Sequence, residues 1–265
     1  MSTNTAVVTG ASTGIGAVYA DRLARRGHDL VLVARDVSRL KALATRLHLE
    51  TGRSIEVLVA DLTRDADIAA VERRVAAQDV TLLVNNAGMS LNGGLLDNEV
   101  PALEQIITLN VTAPTRLAAA AGKAFVARGA GAIVNIASIL AFAPESFDGV
   151  YSGTKAYILN LSLSLAGQVA DRGVKVQAVL PGATRTEIWA RSGKDIDAFP
   201  PEMVMEVDDL VDAALVGLDR GETVTIPPLA DEDLYKSFEA ARAAMGPHLS
   251  QREVAPRYRG VEVVA

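Results

Sequence analysis

The chain has 265 residues, 49% of them hydrophobic and 22% charged, which suits a large buried core and is not a disordered composition. Its formal net charge of −6 speaks against nucleic acid or an anionic membrane surface as the main partner. The absence of cysteine excludes disulfides, thiol nucleophiles and thiolate metal sites.

The longest apolar runs fall far short of a membrane span. Strand-like sequence begins by Thr5, so a cytoplasmic protein without a signal or transit peptide is expected. The first run, TAVVTG (5–10), leads into TGASTGIG. There Gly10, Gly14 and Gly16 allow a tight turn and close approach of backbone to a phosphate, and the opening helix offers unpaired N–H groups to an anion. The spacing differs from G-x-G-x-x-G, but its place directly after a first strand is the context a dinucleotide turn requires. The second run, DLVLVAR (29–35), puts Arg35 about 20 positions beyond the glycines. An acidic residue there would select NAD, whereas an arginine can meet a 2′-phosphate; Asp36 follows directly and could serve NAD if the register differs.

Residues from Ser38 to Glu50 and from Thr63 to Ala77 carry apolar positions at helical spacing, flanking a third run, IEVLVAD (55–61). Asp61 closes that run and could be a helix N-cap. A fourth run, VTLLVNN (80–86), precedes TLNVTAP, in which Pro114 lacks the N–H that would bond the carbonyl of Asn110. That helix should bend, leaving the carbonyl free to hold a water. AIVNIAS (132–138) ends on Ser138, thirteen positions before Tyr151. In VYSGTKAY, Tyr151 and Lys155 are four apart on a helix, one turn from each other. An ammonium there should lower the tyrosine pKa and ready it for proton exchange.

VKVQAVL (174–180) is a sixth strand and TVTI (223–226) a weaker seventh. Between them, about 183–206 shows no steady period and holds Trp189, Phe199 and Pro200–Pro201, as a lid would. From about 231 to 265 a helical stretch and a tail with proline and arginine extend the chain, either packing on a neighbouring subunit or fraying. The strand–helix alternation predicts one α/β domain over 1–265, a doubly wound Rossmann-like parallel sheet of about seven strands with helices on both faces.

Jointly and in order, TGASTGIG, NNAG (Asn85 to Gly88), YSGTK and PGATRT (181–186) resemble the motifs of the short-chain dehydrogenase/reductase family. The resemblance runs from about residue 5 to about 230 and implies a nicotinamide-dependent enzyme. It makes Tyr151 the general acid or base, with Ser138 holding the substrate oxygen. Lys155 would bind the nicotinamide ribose, and Asn110 would hold a water linking that lysine to solvent. Cofactor contacts are implied for Gly10, Ser12, Thr13, Gly14, Ile15, Gly16, Arg35, Asp61, Leu62, Asn86, Ala87, Gly88, Pro181, Gly182, Thr184 and Thr186, besides Tyr151 and Lys155. Ile139, Leu140 and Trp189 would line a pocket for a hydrophobic carbonyl compound.

The expectation is an NADP(H)-dependent carbonyl reductase or alcohol dehydrogenase, a homodimer or homotetramer with a small-molecule substrate. Alternatives are an NAD-dependent dehydrogenase or a dinucleotide sensor without catalysis on the same fold. The sensor should lack Tyr151 or Lys155, and both are present. His28, His48 and His248 have no metal-ligand spacing, so no metal is expected, and His28 reads as solvent-exposed. Ser146 and Ser152 read as surface or capping residues, and Tyr157 as a packing residue of the Tyr151 helix.

Overall fold

The computed structural model describes residues 4–259. Its strands are β1 (Thr5–Thr9), β2 (Asp29–Ala34), β3 (Ile55–Val59), β4 (Val80–Asn85), β5 (Gly131–Ile136), β6 (Val174–Val179) and β7 (Val224–Thr225). All pair in parallel, in the order β3-β2-β1-β4-β5-β6-β7. The α-helices are α1 (Gly14–Arg25), α2 (Val37–Thr51), α3 (Asp65–Val75), α4 (Val100–Ile107), α5 (Ala113–Arg128), α6 (Gly149–Val169), α7 (Ile188–Arg191), α8 (Val207–Arg220) and α9 (Glu232–Met245).

The strands lack polar alternation because both sheet faces are covered. Ala6, Val8, Leu30, Leu32 and Val84 point to one side, against Tyr19 and Leu23 of α1, Leu40 and Leu47 of α2, and Val211 and Leu215 of α8. Their neighbours Val7, Val31, Val33 and Leu83 point to the other, against Ile68 and Val71 of α3 and Leu117 and Phe125 of α5. A period of two along each strand therefore feeds two separate cores. The order of strands reverses between β1 and β4, and ligands of such sheets lie beyond the carboxyl ends at that point.

The 183–206 segment is irregular but closed at its base. Thr184 bridges to Met205, Arg185 N donates to Met205 O at 3.0 Å, and Met205 N donates to Ala183 O at 2.9 Å. Between these ends lie α7 and 3-10 turns at Ile196–Ala198 and Pro201–Met203. The chain divides into two compact units, parting after Pro228. The first holds the whole sheet. The second holds the 231–265 extension and α9, which buries none of its residues. Residues 260–265 of that extension lie outside the described residues. Among the described residues no helix is long and apolar enough to cross a membrane.

Candidate active site

The turn from β1 into α1 holds Gly10 and Gly14 at φ of 66° and 54°. A Cβ on Gly10 would stand 2.8 Å from the Asn86 amide nitrogen, and one on Gly16 would stand 2.4 Å from the Gly10 carbonyl oxygen. Glycine alone lets β1, α1 and the end of β4 close this tightly. Asn86 completes the closure, its Nδ2 donating to Thr9 O at 2.9 Å and to Gly10 O at 3.3 Å. Thr9 Oγ1 in turn accepts from the N–H groups of Asn86 and Ala87 at 3.0 and 3.1 Å. Thr13 sits at the N-cap of α1 in extended conformation, and its side chain makes no capping hydrogen bond. Among the described residues, the first-turn N–H groups thus have no side-chain acceptor. Thr186 faces them, its Cγ2 lying 3.4 Å from where a Gly14 Cβ would be. A glycine cradle at an uncapped helix N-terminus fits the pyrophosphate of a dinucleotide.

Ser12 and Ile15 are half-buried in this turn, and Ile15 also packs on the core. Arg35, just past β2, is exposed and makes no hydrogen bond or ion pair among the described residues. Asp36 instead caps α2, accepting from Arg39 N at 3.0 Å and from Ser38 Oγ at 2.6 Å. Asp61 is not a helix N-cap, because α3 starts after Arg64. It accepts from Thr63 N and Oγ1 at 3.0 and 2.8 Å in a local turn. Burial pushes its carboxyl up, but those bonds and the charge of Arg35 leave it below the ordinary value. Leu62 is a buried core residue.

Asn110 lies in a π-helical turn, Thr108–Thr112, just before α5, where Ala113 N donates to Thr108 O. The irregularity expected from Pro114 takes this form. The Asn110 side chain is buried and fully used. Its Oδ1 accepts from Met89 N at 2.9 Å, while Nδ2 donates to Met89 O at 2.8 Å and to Thr154 Oγ1 at 3.2 Å. Thr154 Oγ1 donates to the Tyr151 carbonyl at 2.7 Å. Asn110 therefore ties the loop after β4 to α6. Gly88 sits in that loop, and a Cβ there would stand 3.3 Å from Asn110 Oδ1 and 3.7 Å from Lys155 Nζ.

Asp148 caps α6 by accepting from the N–H groups of Val150 and Tyr151 at 3.0 and 3.3 Å. Lys155, on the next turn, is buried and donates to Ile136 O at 2.9 Å. Its Nζ lies 5.5 Å from the centre of the Tyr151 ring. Ser138 is buried past the end of β5, accepts from Leu140 N at 3.2 Å and points to Pro181 O at 3.5 Å.

One expectation fails here. Burial pushes Tyr151 up to about 12 instead of down, with the Ser138 hydroxyl pulling the other way. Burial also brings Lys155 down to about 8. The ammonium sits over the ring and on a carbonyl, and desolvation of both groups outweighs their attraction.

An aromatic row leads away from Tyr151. Phe147 meets Tyr151 edge-on at 5.7 Å, Trp189 meets Phe147 at 6.2 Å, and Phe199 meets Trp189 at 5.1 Å. Trp189 Nε1 donates to Thr184 O at 2.8 Å, which fixes the ring. Leu140 and the partly exposed Ile139 stand on the Ser138 side, and Ile139 Cδ1 lies 3.7 Å from where a Gly182 Cβ would be. Phe147 and Thr154 were not among the candidates from sequence. The signals for them are an aromatic residue four before Tyr151 and a hydroxyl next to Lys155.

A short chain dehydrogenase family profile matches residues 4–197. The chain belongs to the short-chain dehydrogenase/reductase family. Among solved members, a short-chain dehydrogenase from Sphingobium yanoikuyae in complex with NADPH is 54% identical, covering 96% of this chain and 100% of that one with a TM-score of 0.93. A bulky-bulky ketone specific alcohol dehydrogenase from Comamonas testosteroni is 44% identical, covering 98% and 100%, with a TM-score of 0.90. Of the curated relatives, a very-long-chain 3-oxoacyl-CoA reductase of Podospora anserina is 37% identical over 66% of this chain and 53% of its own length. Human 17-beta-hydroxysteroid dehydrogenase type 3 is 34% identical over 68% and 59%. The chain thus matches just over half the length of these curated relatives.

Within this short-chain dehydrogenase/reductase, three expectations about side residues change. Ser152 is neither surface nor cap: it is buried, and its hydroxyl has no partner among the described residues. His28 is half-buried, and burial lowers its pKa. Tyr157 is exposed, not packed between helices, and its hydroxyl accepts from Thr115 Oγ1 of α5 at 3.0 Å. The side chain of Ser146 lies outside the described residues.

Proposed function

We propose that this oxidoreductase is an NADP(H)-dependent carbonyl reductase or alcohol dehydrogenase acting on bulky hydrophobic ketones. The observation that carries this reading is the convergence of Asn110, Ser138, Tyr151 and Lys155 beside the glycine cradle, at the foot of the Phe147–Trp189–Phe199 row. When bound, the nicotinamide cofactor supplies the hydride. Gly10, Gly14, Gly16 and Thr186 would hold its pyrophosphate, Lys155 its ribose and Arg35 its 2′-phosphate.

The chain's own part is proton handling and charge stabilisation. As hydride adds to a ketone, the oxygen gains charge and needs a donor already in place. Ser138 donates to that oxygen and Tyr151 delivers the proton. With Tyr151 as high as about 12, the phenol starts protonated, the form needed for reduction. Asn110 and Thr154 keep α6 in register with the loop after β4 and so hold Tyr151 in place.

The NADP preference is supported by two exposed neighbours. Arg35 has no hydrogen bond or ion pair to surrender among the described residues, whereas Asp36, which could have served NAD, is engaged as the α2 cap. The Sphingobium yanoikuyae relative was solved with NADPH. The bulky ketone class follows the aromatic row and the name of the Comamonas testosteroni relative.

The test is a panel of ketones from acetone to diaryl ketones, with either cofactor. We expect kcat/KM to rise with substrate size and to favour NADPH at least tenfold. Arg35→Ala should weaken NADPH alone, by about 1.5–3 kcal/mol for one charged contact. Equal use of both cofactors by the parent, or an equal loss on both in the variant, would overturn the cofactor assignment.

A further inference from the structure

Lys194 lies in the irregular segment after α7 and forms no ion pair among the described residues. Its half-buried ammonium turns inward. Nζ donates to Leu91 O at 2.9 Å, reaches Ser90 Oγ at 3.5 Å, and lies 3.7 Å from the centre of the Phe147 ring. The last distance is well inside the range in which a cation is held by a ring face. Lysine stems lose much rotamer freedom when ordered, so this placement needs all three contacts.

The groups that Lys194 joins belong to the site. Phe147 is the ring against Tyr151 and Trp189. Ser90 and Leu91 follow Met89, whose N–H and carbonyl are both bonded to the Asn110 side chain. Next to Lys194, Gly193 has φ of 67°, and a Cβ there would stand 2.9 Å from Asn92 Nδ2. The segment thus lies directly on the 90–92 loop. Trp189 and Phe199, elsewhere on it, stand over the same side. Removing the ammonium would take from the Leu91 carbonyl and the Phe147 face the cation they share, where this segment, the loop and the entry to α6 meet.

We infer that Lys194 is a positioning residue: it latches the 183–206 segment over Tyr151 and so sets the room available to the ketone. This rests on the reductase reading above. A loosened latch should leave the cofactor cradle intact, since Lys194 makes its hydrogen bonds and ring contact to Ser90, Leu91 and Phe147 and not to cradle residues, among the described residues. It should weaken hold on the substrate more than it slows the chemistry.

The test compares Lys194→Met, close in length but uncharged, with Lys194→Arg. For the methionine variant we expect KM for the best bulky ketone to rise at least tenfold, kcat to stay within threefold and the NADPH dissociation constant to stay within twofold. Arginine should restore KM to within threefold of the parent. In substrate-free protein, amide hydrogen exchange across 189–199 should quicken at least tenfold in the methionine variant, with sheet amides unchanged. A KM within twofold of the parent, unaltered exchange, an equal loss of cofactor affinity, or no rescue by arginine would each overturn the latch. A parent inactive on every ketone would sink the reductase reading alone, and the exchange comparison would still decide the latch.

Discussion

At the scale of single residues, burial rather than charge pairing decides the protonation of the site. Lys155 titrates near 8 in the folded protein because it is desolvated, against an ordinary value of 10.5. Below pH 8 the folded and unfolded chains both carry its proton, and folding must strip water from the charge. Between pH 8 and 10.5 the unfolded chain still binds a proton that the folded chain has released, so stability rises with pH in that window. The slope from one such group is at most about 1.4 kcal/mol per pH unit. Urea unfolding at pH 7.5 and 9.5 should therefore show the parent gaining at least about 1 kcal/mol relative to Lys155→Met. A difference between the two proteins that does not change with pH would contradict a desolvated Lys155. Tyr151, whose shift is upward, acts mainly above its ordinary value of 10.0, beyond the two pH values compared. Tyr151, Lys155, Ser138 and Asn110 could be proposed from residue type, spacing and the family resemblance, because each lies within a recognisable motif. The direction of the Tyr151 shift could not, because it depends on what other parts of the chain bury around the phenol.

Between elements, a buried polar chain holds α6 to the sheet. Asn135 of β5 is fully buried, accepts from Asn85 Nδ2 of β4 at 2.9 Å, and donates to Ser162 Oγ of α6 at 2.9 Å. Asn85 Nδ2 also donates to Pro114 O of α5 at 3.2 Å, and Ser162 Oγ donates to Ile158 O at 2.7 Å. Two strands and two helices are thus joined by three side chains. Asn135→Ala should lower stability by about 2–4 kcal/mol, because each buried group left unpaired costs about 1–3 kcal/mol. Chemical denaturation measures this, and a loss under 1 kcal/mol would mean that water or rearrangement replaces both bonds. The strands themselves were readable from apolar runs, to within a residue or two at each end. The aromatic row and the Lys194 contacts were not, since Phe147, Trp189, Phe199 and Lys194 share no period and meet only through tertiary folding.

At the scale of the whole molecule, the sheet carries its own core. Every residue of the three hydrophobic clusters lies between Ala6 and Ile226, on the near side of the division after Pro228. In the second unit, α9 begins with a cap at Asp231, which accepts from Asp233 N at 3.0 Å, yet none of its residues is buried. Leu234, Met245, Leu249, Val254 and Tyr258 there are all exposed. α9 adds no residue to the three clusters, and isolated helices of its 14 residues are marginal in water. The stability of residues 1–228 should therefore owe little to residues 229–265. A chain ending at Pro228 is expected to keep the parent's cooperative unfolding transition, with a free energy within about 2 kcal/mol, a change typical of single substitutions. Circular dichroism during urea titration reports both quantities. A truncated chain that loses the cooperative transition would show that the second unit supports the sheet, and the division after Pro228 would then not be a boundary of folding.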